Sequence, residues 1–373
     1  MNYLSGEHLF TKVCRDGNHP IQCFPPQFEG SFDRVLHATG DGTFRDVSKD
    51  SGVEIADGKG MGLVAADFDN SGKLSLFIAN DTTPNFFLSN RGFGPPQFEN
   101  IAALSGLALS KSGKAASAMG IAIGDANGDQ QLDLFVTNFQ DEANNLYLRV
   151  DTLLFDDQIK QFHLHDDGFA VEGWGAQFSD CDLDGDQDLI VANGHLDDYP
   201  HTLGQRRMPT QIFVNDQNKL FRLEDSKKLG RYFGERYLGR AVAKLDANQD
   251  GKTDFVVTHL HDNPAMLINE TVQTGNFVAI RLVGRASSRD AIGAEVRLSI
   301  GSLNWTQQLT GGDGFQASNE KLLTFGVGDA VGEGQVSIRW PSGQTDRHSM
   351  PLINRRYTYV ESSGPDLDLG ADE

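Results

Sequence analysis

One unit recurs four times in this chain, always with the same grammar: a glycine-bearing apolar run, an Asp-rich loop, a second apolar run and a closing Asn or His. The copies are Met61–Asn80, Met119–Asn138, Trp174–Asn193 and Leu238–His259. Their loops open at Asp67, Asp125, Asp180 and Asp246, so successive starts lie 58, 55 and 66 residues apart. The runs beside each loop are β-branched and aromatic and too short for helices, so they read as strands. A third apolar segment follows, as at Asn85–Ser89 and Asn145–Leu148, and a fourth is readable at Gln97–Asn100 and Leu220–Leu223. Four short strands per unit, repeated radially, make a propeller blade. The expected fold class is therefore all-β: a β-propeller of four loop-bearing blades plus a partial N-terminal blade, followed by a small β-sandwich-like domain. The partial blade, at residues 28–50, is a hairpin from Asp33–His37 to Thr43–Val47 across a Gly-Asp-Gly turn. The ring is then either incomplete or closed by this hairpin completing the fourth blade, and the sequence leaves both open.

The loops define a chemistry. Each places an oxygen-bearing side chain at positions 1, 3, 5 and 9: Asp67, Asp69, Ser71, Ser75; Asp125, Asn127, Asp129, Asp133; Asp180, Asp182, Asp184, Asp188; and Asp246, Asn248, Asp250, Asp254. Alternate residues of a tight loop converge, a backbone carbonyl near position 7 adds an oxygen, and glycine at position 4 or 6 allows the turn. Hard oxygen ligands in a flexible cage suit Ca²⁺. An EF-hand is excluded, because position 12 is Ile78, Val136, Val191 or Val257 inside a strand instead of a bidentate Glu. Turn formation alone would also favour Asp, Asn and Gly, but four loops at one phase of one repeat point to metal. By carboxylate count, loop three binds most tightly and loop one, with Ser71 and Ser75, least.

Composition narrows the partners. Fifty-two acidic against 32 basic residues give a formal net charge of −20, which repels nucleic acid and anionic lipid. No stretch approaches 18 apolar residues, so no membrane-spanning helix is expected. Cys14 and Cys23 are close enough for a small disulfide loop if the chain is exported, and Cys181 is left over. The first residues do not read as a signal peptide, which conflicts with export. A chain truncated upstream would explain both that and the half-blade start.

The D-x-[DN]-x-[DS]-G-x-x-[DS]-L pattern between apolar strands resembles FG-GAP/VCBS repeats, as in integrin α-subunit propellers. The stretches Gly40–Val47, Val136–Phe139 with Glu142–Tyr147, and Val191–His195 resemble the cartilage acidic protein group, over about residues 30–270. Beyond residue 272 the repeat stops. Arg289–Ala294, Gly311–Ser318, Leu323–Gly328 and Trp340–Gly343 resemble the ASPIC/UnbV domain, which implies no known chemistry. The expected division is a propeller over 1–272, with repeats from about 59, 117, 172 and 238; an ASPIC/UnbV-like β-domain over 273–362; and an acidic disordered tail over 363–373.

The face opposite the metal loops gathers strand-end groups: Lys59, Asp81, Asp141, Glu142, Trp174, His195 with Asp197 and Asp198, Arg240, His259 and His261. Two readings stand, a site for a protein or glycan ligand and simple strand-end capping. His195, His259 and His261 could also form a metal or acid/base cluster, but no nucleophile elbow, P-loop or zincin motif is present. The expected function is a non-catalytic, calcium-binding interaction or adhesion module, extracellular, periplasmic or at the cell surface. The alternative is a propeller hydrolase or lyase with a His/Asp site at the axial face.

Overall fold

The computed structural model describes residues 1–92, 94–196, 206–272, 274–350, 352–363 and 365–367. The fold is all-β, and the repeats form four antiparallel sheets in chain order. Sheet one holds Gly60–Ala66, Ser75–Asn80, Phe86–Asn90 and Phe98–Asn100; sheet two Ile121–Gly124, Asp133–Val136, Asn145–Asp151 and Leu154–Asp157; sheet three Gly173–Ser179, Asp188–Asn193, Gln211–Asp216 and Leu220–Leu223. Sheet four has three strands, Gly239–Leu245, Asp254–His259 and Ala265–Leu267. Each is a meander, so strand neighbours in sequence are neighbours in space. Pairing sets Ala66 opposite Ser75, Gly124 opposite Asp133, Ser179 opposite Asp188 and Leu245 opposite Asp254. Every Asp-rich loop therefore joins the first and second strands of its sheet at one phase.

The sheets stack face to face through apolar side chains. Val64, Phe77 and Phe87 of sheet one meet Ile121, Leu134, Val136 and Tyr147 of sheet two, with Phe68, Phe87 and Phe155 packed edge to face. Phe135 and Leu146 meet Phe178, Leu189 and Phe213, and Ile190 and Ile212 meet Val242, Phe255 and Val257. The glycine in or just before the first strand of each repeat has a packing cause. A Cβ on Gly62 would lie 2.4 Å from the Met119 carbonyl, and one on Gly120 1.8 Å from that of Trp174. Innermost strands approach too closely there for any side chain.

The N-terminal hairpin forms at Leu36–Ala38 and Phe44–Asp46 as a separate two-stranded sheet. It does not complete sheet four. Val35 and Ile55, on either side of it, pack against Val53, Ile78, Phe86 and Leu88 beside sheet one.

The C-terminal part is two four-stranded sheets. One orders Leu323–Gly328, Asn276–Val283, Arg355–Val360 and Pro365–Leu367, the other Leu303–Gln308, Glu295–Ile300, Gly334–Arg339 and Thr345–Met350. Their shared core includes Ile280, Leu298, Phe325, Ile338, Trp340 and Tyr359. Pro365–Leu367 pairs with Tyr357–Tyr359, so the expected disordered tail is a strand at that point. Ladder hydrogen bonds need only backbone, and an acidic segment can supply them at an edge. The rest of the tail from residue 368, like Asp197 and Asp198, lies outside the described residues.

The two parts are not separate along the chain. Gly311 and Gly312 pair with Ala65 and Val64 as a fifth strand of sheet one. Gly314 exchanges backbone hydrogen bonds with Ile121 of sheet two. Asn319 bonds the Gln177 amide of sheet three and accepts from the Lys244 backbone of sheet four. One short segment thus touches the first strand of all four sheets.

Candidate metal centre

All four loops adopt one backbone form, with positions 4 and 6 both left-handed: Asn70 and Gly72, Gly128 and Gln130, Leu183 and Gly185, Gln249 and Gly251. Glycine supplies one of the two in each loop, and the other is held there at a steric cost. The turn lets position 1 collect backbone N–H groups. Asp67 accepts from Ser71 and Gly72, Asp125 from Gly128, Asp129 and Gln130, Asp180 from Asp184 and Gly185, and Asp246 from Gly251.

Position 9 acts as a brace. Asp133, Asp188 and Asp254 each accept from the N–H of position 2 in their own loop (Ala126, Cys181, Ala247) and from a residue in or just past the third strand of their sheet (Arg149, Asn215, Asn269). Ser75 makes only the second of these bonds, from Asn90.

The loops differ at positions 3 and 5. In loops two and four an asparagine amide bridges them: Asn127 donates to Asp129 at 3.2 Å and Asn248 to Asp250 at 3.1 Å. Loop three has carboxylates at both, Asp182 and Asp184. Asp180, Asp182 and Asp184 can each bring an oxygen within 4.8 Å of the others, and they form the one such cluster among the described residues. Burial, then repulsion from Asp184 and Asp188, pushes the Asp180 carboxyl well above the usual carboxylate range. Burial raises Asp184 to about 6 and Asp188 to about 7. No cationic side chain pairs with any of them among the described residues. A divalent ion fits this donor set, because it supplies the missing countercharge. Loop four also fits. Asp246 is 8% exposed and its Oδ1 lacks a hydrogen-bond partner, an arrangement that costs energy unless something binds there. In loop two, burial lifts Asp125 to about 6.

Loop one differs. Asp67 pairs with Arg339 of the C-terminal part, Nη1 to Oδ2 at 2.8 Å, while Gln308 clamps the Asp67 backbone from both sides. The loop face as a whole looks onto the C-terminal sheets. A cavity of about 490 Å³ between them is lined by Asp67, Asp125, Asp180 and Asp246 and by Glu295 and Asp313. Gln308, Glu320 and Arg339 were invisible to loop spacing, since each reaches its loop across 74 or more residues.

On the opposite face the expected residues range from buried to exposed. Trp174 is 5% exposed, donates from Nε1 to the Gly194 carbonyl, carries the Arg240 guanidinium 4.0 Å above its ring, and meets Phe315 edge to face. Burial lowers Arg240 to about 10. Phe315 belongs to the segment that crosses the four sheets, and it buries Met119 and Trp174 with it. Asp81 is buried and accepts from the Tyr3 hydroxyl, while Glu142 accepts from Ser117. Lys59 is buried, with its backbone N–H on Asn80. Asp141 is exposed and its backbone is left-handed. The three histidines stand apart in their contacts. His195 lies 3.7 Å from buried Glu172 and packs on Phe139, His259 is held between the Tyr232 hydroxyl and the Asn263 carbonyl and stacks on Tyr237, and His261 is exposed. They form no shared metal cluster among the described residues.

A repeat of stacked meander sheets with Asp-rich first loops, crossed by a C-terminal β-unit, is a modular repeat protein. Residues 67–136 match the FG-GAP-like repeat family and residues 284–366 the family of ASPIC and UnbV. The chain thus carries an FG-GAP-like repeat and an ASPIC/UnbV domain. Human cartilage acidic protein 1 is 29% identical over 168 residues, 43% of this chain and 24% of that protein. The mouse protein is 28% identical, over 43% and 25%. The match therefore spans about a quarter of the length of these curated relatives. Among solved structures, a lectin of Agrocybe aegerita described as recognising non-reducing terminal N-acetylglucosamine has a TM-score of 0.37 at 14% identity, covering 65% of this chain and 58% of its own. That likeness is too low to carry an argument. No helix among the described residues is long and apolar enough to cross a membrane.

Proposed function

We propose that this chain is a non-catalytic, calcium-binding interaction or adhesion module, built as a β-propeller over residues 1–272 and closed on its metal face by a β-unit over 273–362. Ca²⁺ held by loops two, three and four staples the first strands of their sheets, and the rim of the opposite face takes a protein or glycan ligand. The observation that carries this reading is the triad Asp180, Asp182 and Asp184, whose oxygens converge within 4.8 Å with no cationic side chain paired to them among the described residues. Converging carboxylates are costly when bare, so the ion's binding energy doubles as folding energy. An extracellular, periplasmic or cell-surface setting is supported by the disulfide between Cys14 and Cys23. It also suits the affinity range of such oxygen cages. Among the ligand-face groups, Trp174 is buried against Phe315 and Arg240 is half-buried over its ring, so the exposed chemistry is at the rim, at Asp141 and His261, with Glu142 half-buried beside them. Isothermal titration of the metal-stripped chain with Ca²⁺ tests the reading. Saturable binding that Asp182→Asn weakens supports it, and absence of binding refutes it.

A further inference from the structure

We infer that loop one is not an ion cage but the docking socket of the C-terminal unit, with the Arg339 guanidinium standing permanently where the other loops take a cation. The inference rests on the calcium reading of loops two to four for its contrast, and on loop one's own contacts for its substance.

Loop one keeps the backbone form of the others, including the left-handed residues at positions 4 and 6. Its side chains are poorer, with carboxylates only at Asp67 and Asp69. Into this half-charged turn the C-terminal sheet projects Arg339, the last residue of Gly334–Arg339. Its Nη1 donates to Asp67 Oδ2 at 2.8 Å and its Nη2 to Asn70 Oδ1 at 2.9 Å. Glu295, its cross-strand partner, holds Nη2 from behind at 3.2 Å. Asp67 Oδ1 and Oδ2 also accept from Ser71 and Gly72, so both oxygens of the position-1 carboxylate are already engaged. The position-1 residues of the other loops, Asp125, Asp180 and Asp246, make no ion pair among the described residues. A planar fork delivering two donors to adjacent oxygens is what arginine does best and what a spherical ion does not need. An ion entering loop one would have to displace a cation already bonded to the same carboxylate, and would find serine instead of carboxylate at positions 5 and 9.

The socket has a second element. Gln308 accepts from the Asp67 N–H at 2.7 Å and donates to the Asp67 carbonyl at 3.0 Å. The C-terminal unit therefore grips loop one by side chain and backbone together. The serines that weaken loop one as a cage fit a position whose charge is neutralised from within the chain.

Native mass spectrometry of the full chain in Ca²⁺ counts the ions, and melting in chelator reads the latch. Wild type should carry one ion each at loops two, three and four, and Asp69→Asn should leave that number unchanged. Arg339→Gln should lower the melting temperature by several degrees in chelator, where no ion is present, and Arg339→Lys should recover part of the loss. Loss of one ion in Asp69→Asn would overturn the inference, as would an Arg339→Gln melt in chelator equal to wild type. Wild type that binds no ion at all would sink the calcium reading of the other loops. The chelator melts would then still decide whether Arg339 latches loop one.

Discussion

Asp182→Asn separates a metal cage from a mere turn, because the two predict opposite signs under one change of buffer. Asp182 sits at position 3 of loop three, where its charge raises the carboxyls of Asp180, Asp184 and Asp188. Without metal, the variant removes repulsion and should melt at or slightly above wild type. With Ca²⁺ at about 100 times its dissociation constant, an occupied loop three contributes about 2.7 kcal/mol. Unfolding entropy of about 2.1 cal/mol/K per residue, over 373 residues, amounts to about 0.8 kcal/mol/K. Losing the ion should then lower the melting temperature by about 3–4 °C, and losing all of the ions at loops two to four by about 10 °C. Differential scanning calorimetry of wild type and variant, each in Ca²⁺ and in chelator, reads all four values. A variant that shifts equally in both buffers, or in neither, would refute the reasoning.

Phe315→Ala should cost about 3–5 kcal/mol, because the ring is buried against Trp174 where the crossing segment meets sheet three. Calorimetry should show one transition at lower temperature, whereas an unchanged melt would mean the segment merely rests there. Asp313 is raised to about 6 by burial, against the pull of Lys244 and Lys321. Its folded value lies above the unfolded one, so the stability it contributes is present at low pH and is lost as pH rises through about 6. Asp313→Asn should therefore flatten the decline in stability between about pH 4 and 7 relative to wild type, and parallel denaturant titrations with the same slope would contradict this. Reducing the Cys14–Cys23 bridge, which closes a nine-residue separation, should destabilise the N-terminal segment by about 2–3 kcal/mol, seen as faster proteolysis confined to the first 30 or so residues.

The repeat made the sheets legible because each Asp-rich loop carries its own turn chemistry and each flanking run its own period. Local signals of this kind located Asp67, Asp125, Asp180 and Asp246 and their strands without any long-range information. What loop spacing could not show is who faces the loops. Arg339 reaches Asp67 across 272 residues, and nothing near either residue announces the pair. The Gly311–Ser318 motif was readable as a family mark but not as a segment crossing four sheets, because its partners are backbone groups of strands encoded far upstream. How the opposite face is packed was illegible for a related reason. Trp174 looks available in sequence, yet it is buried with Phe315 edge to face against its ring.

A crystal grown with Ca²⁺ and measured for anomalous scattering puts the account to its most direct trial. Peaks should lie in loops two, three and four, strongest between Asp180, Asp182 and Asp184, with Arg339 on Asp67 and no peak in loop one. Density without any ion between those three carboxylates would contradict it.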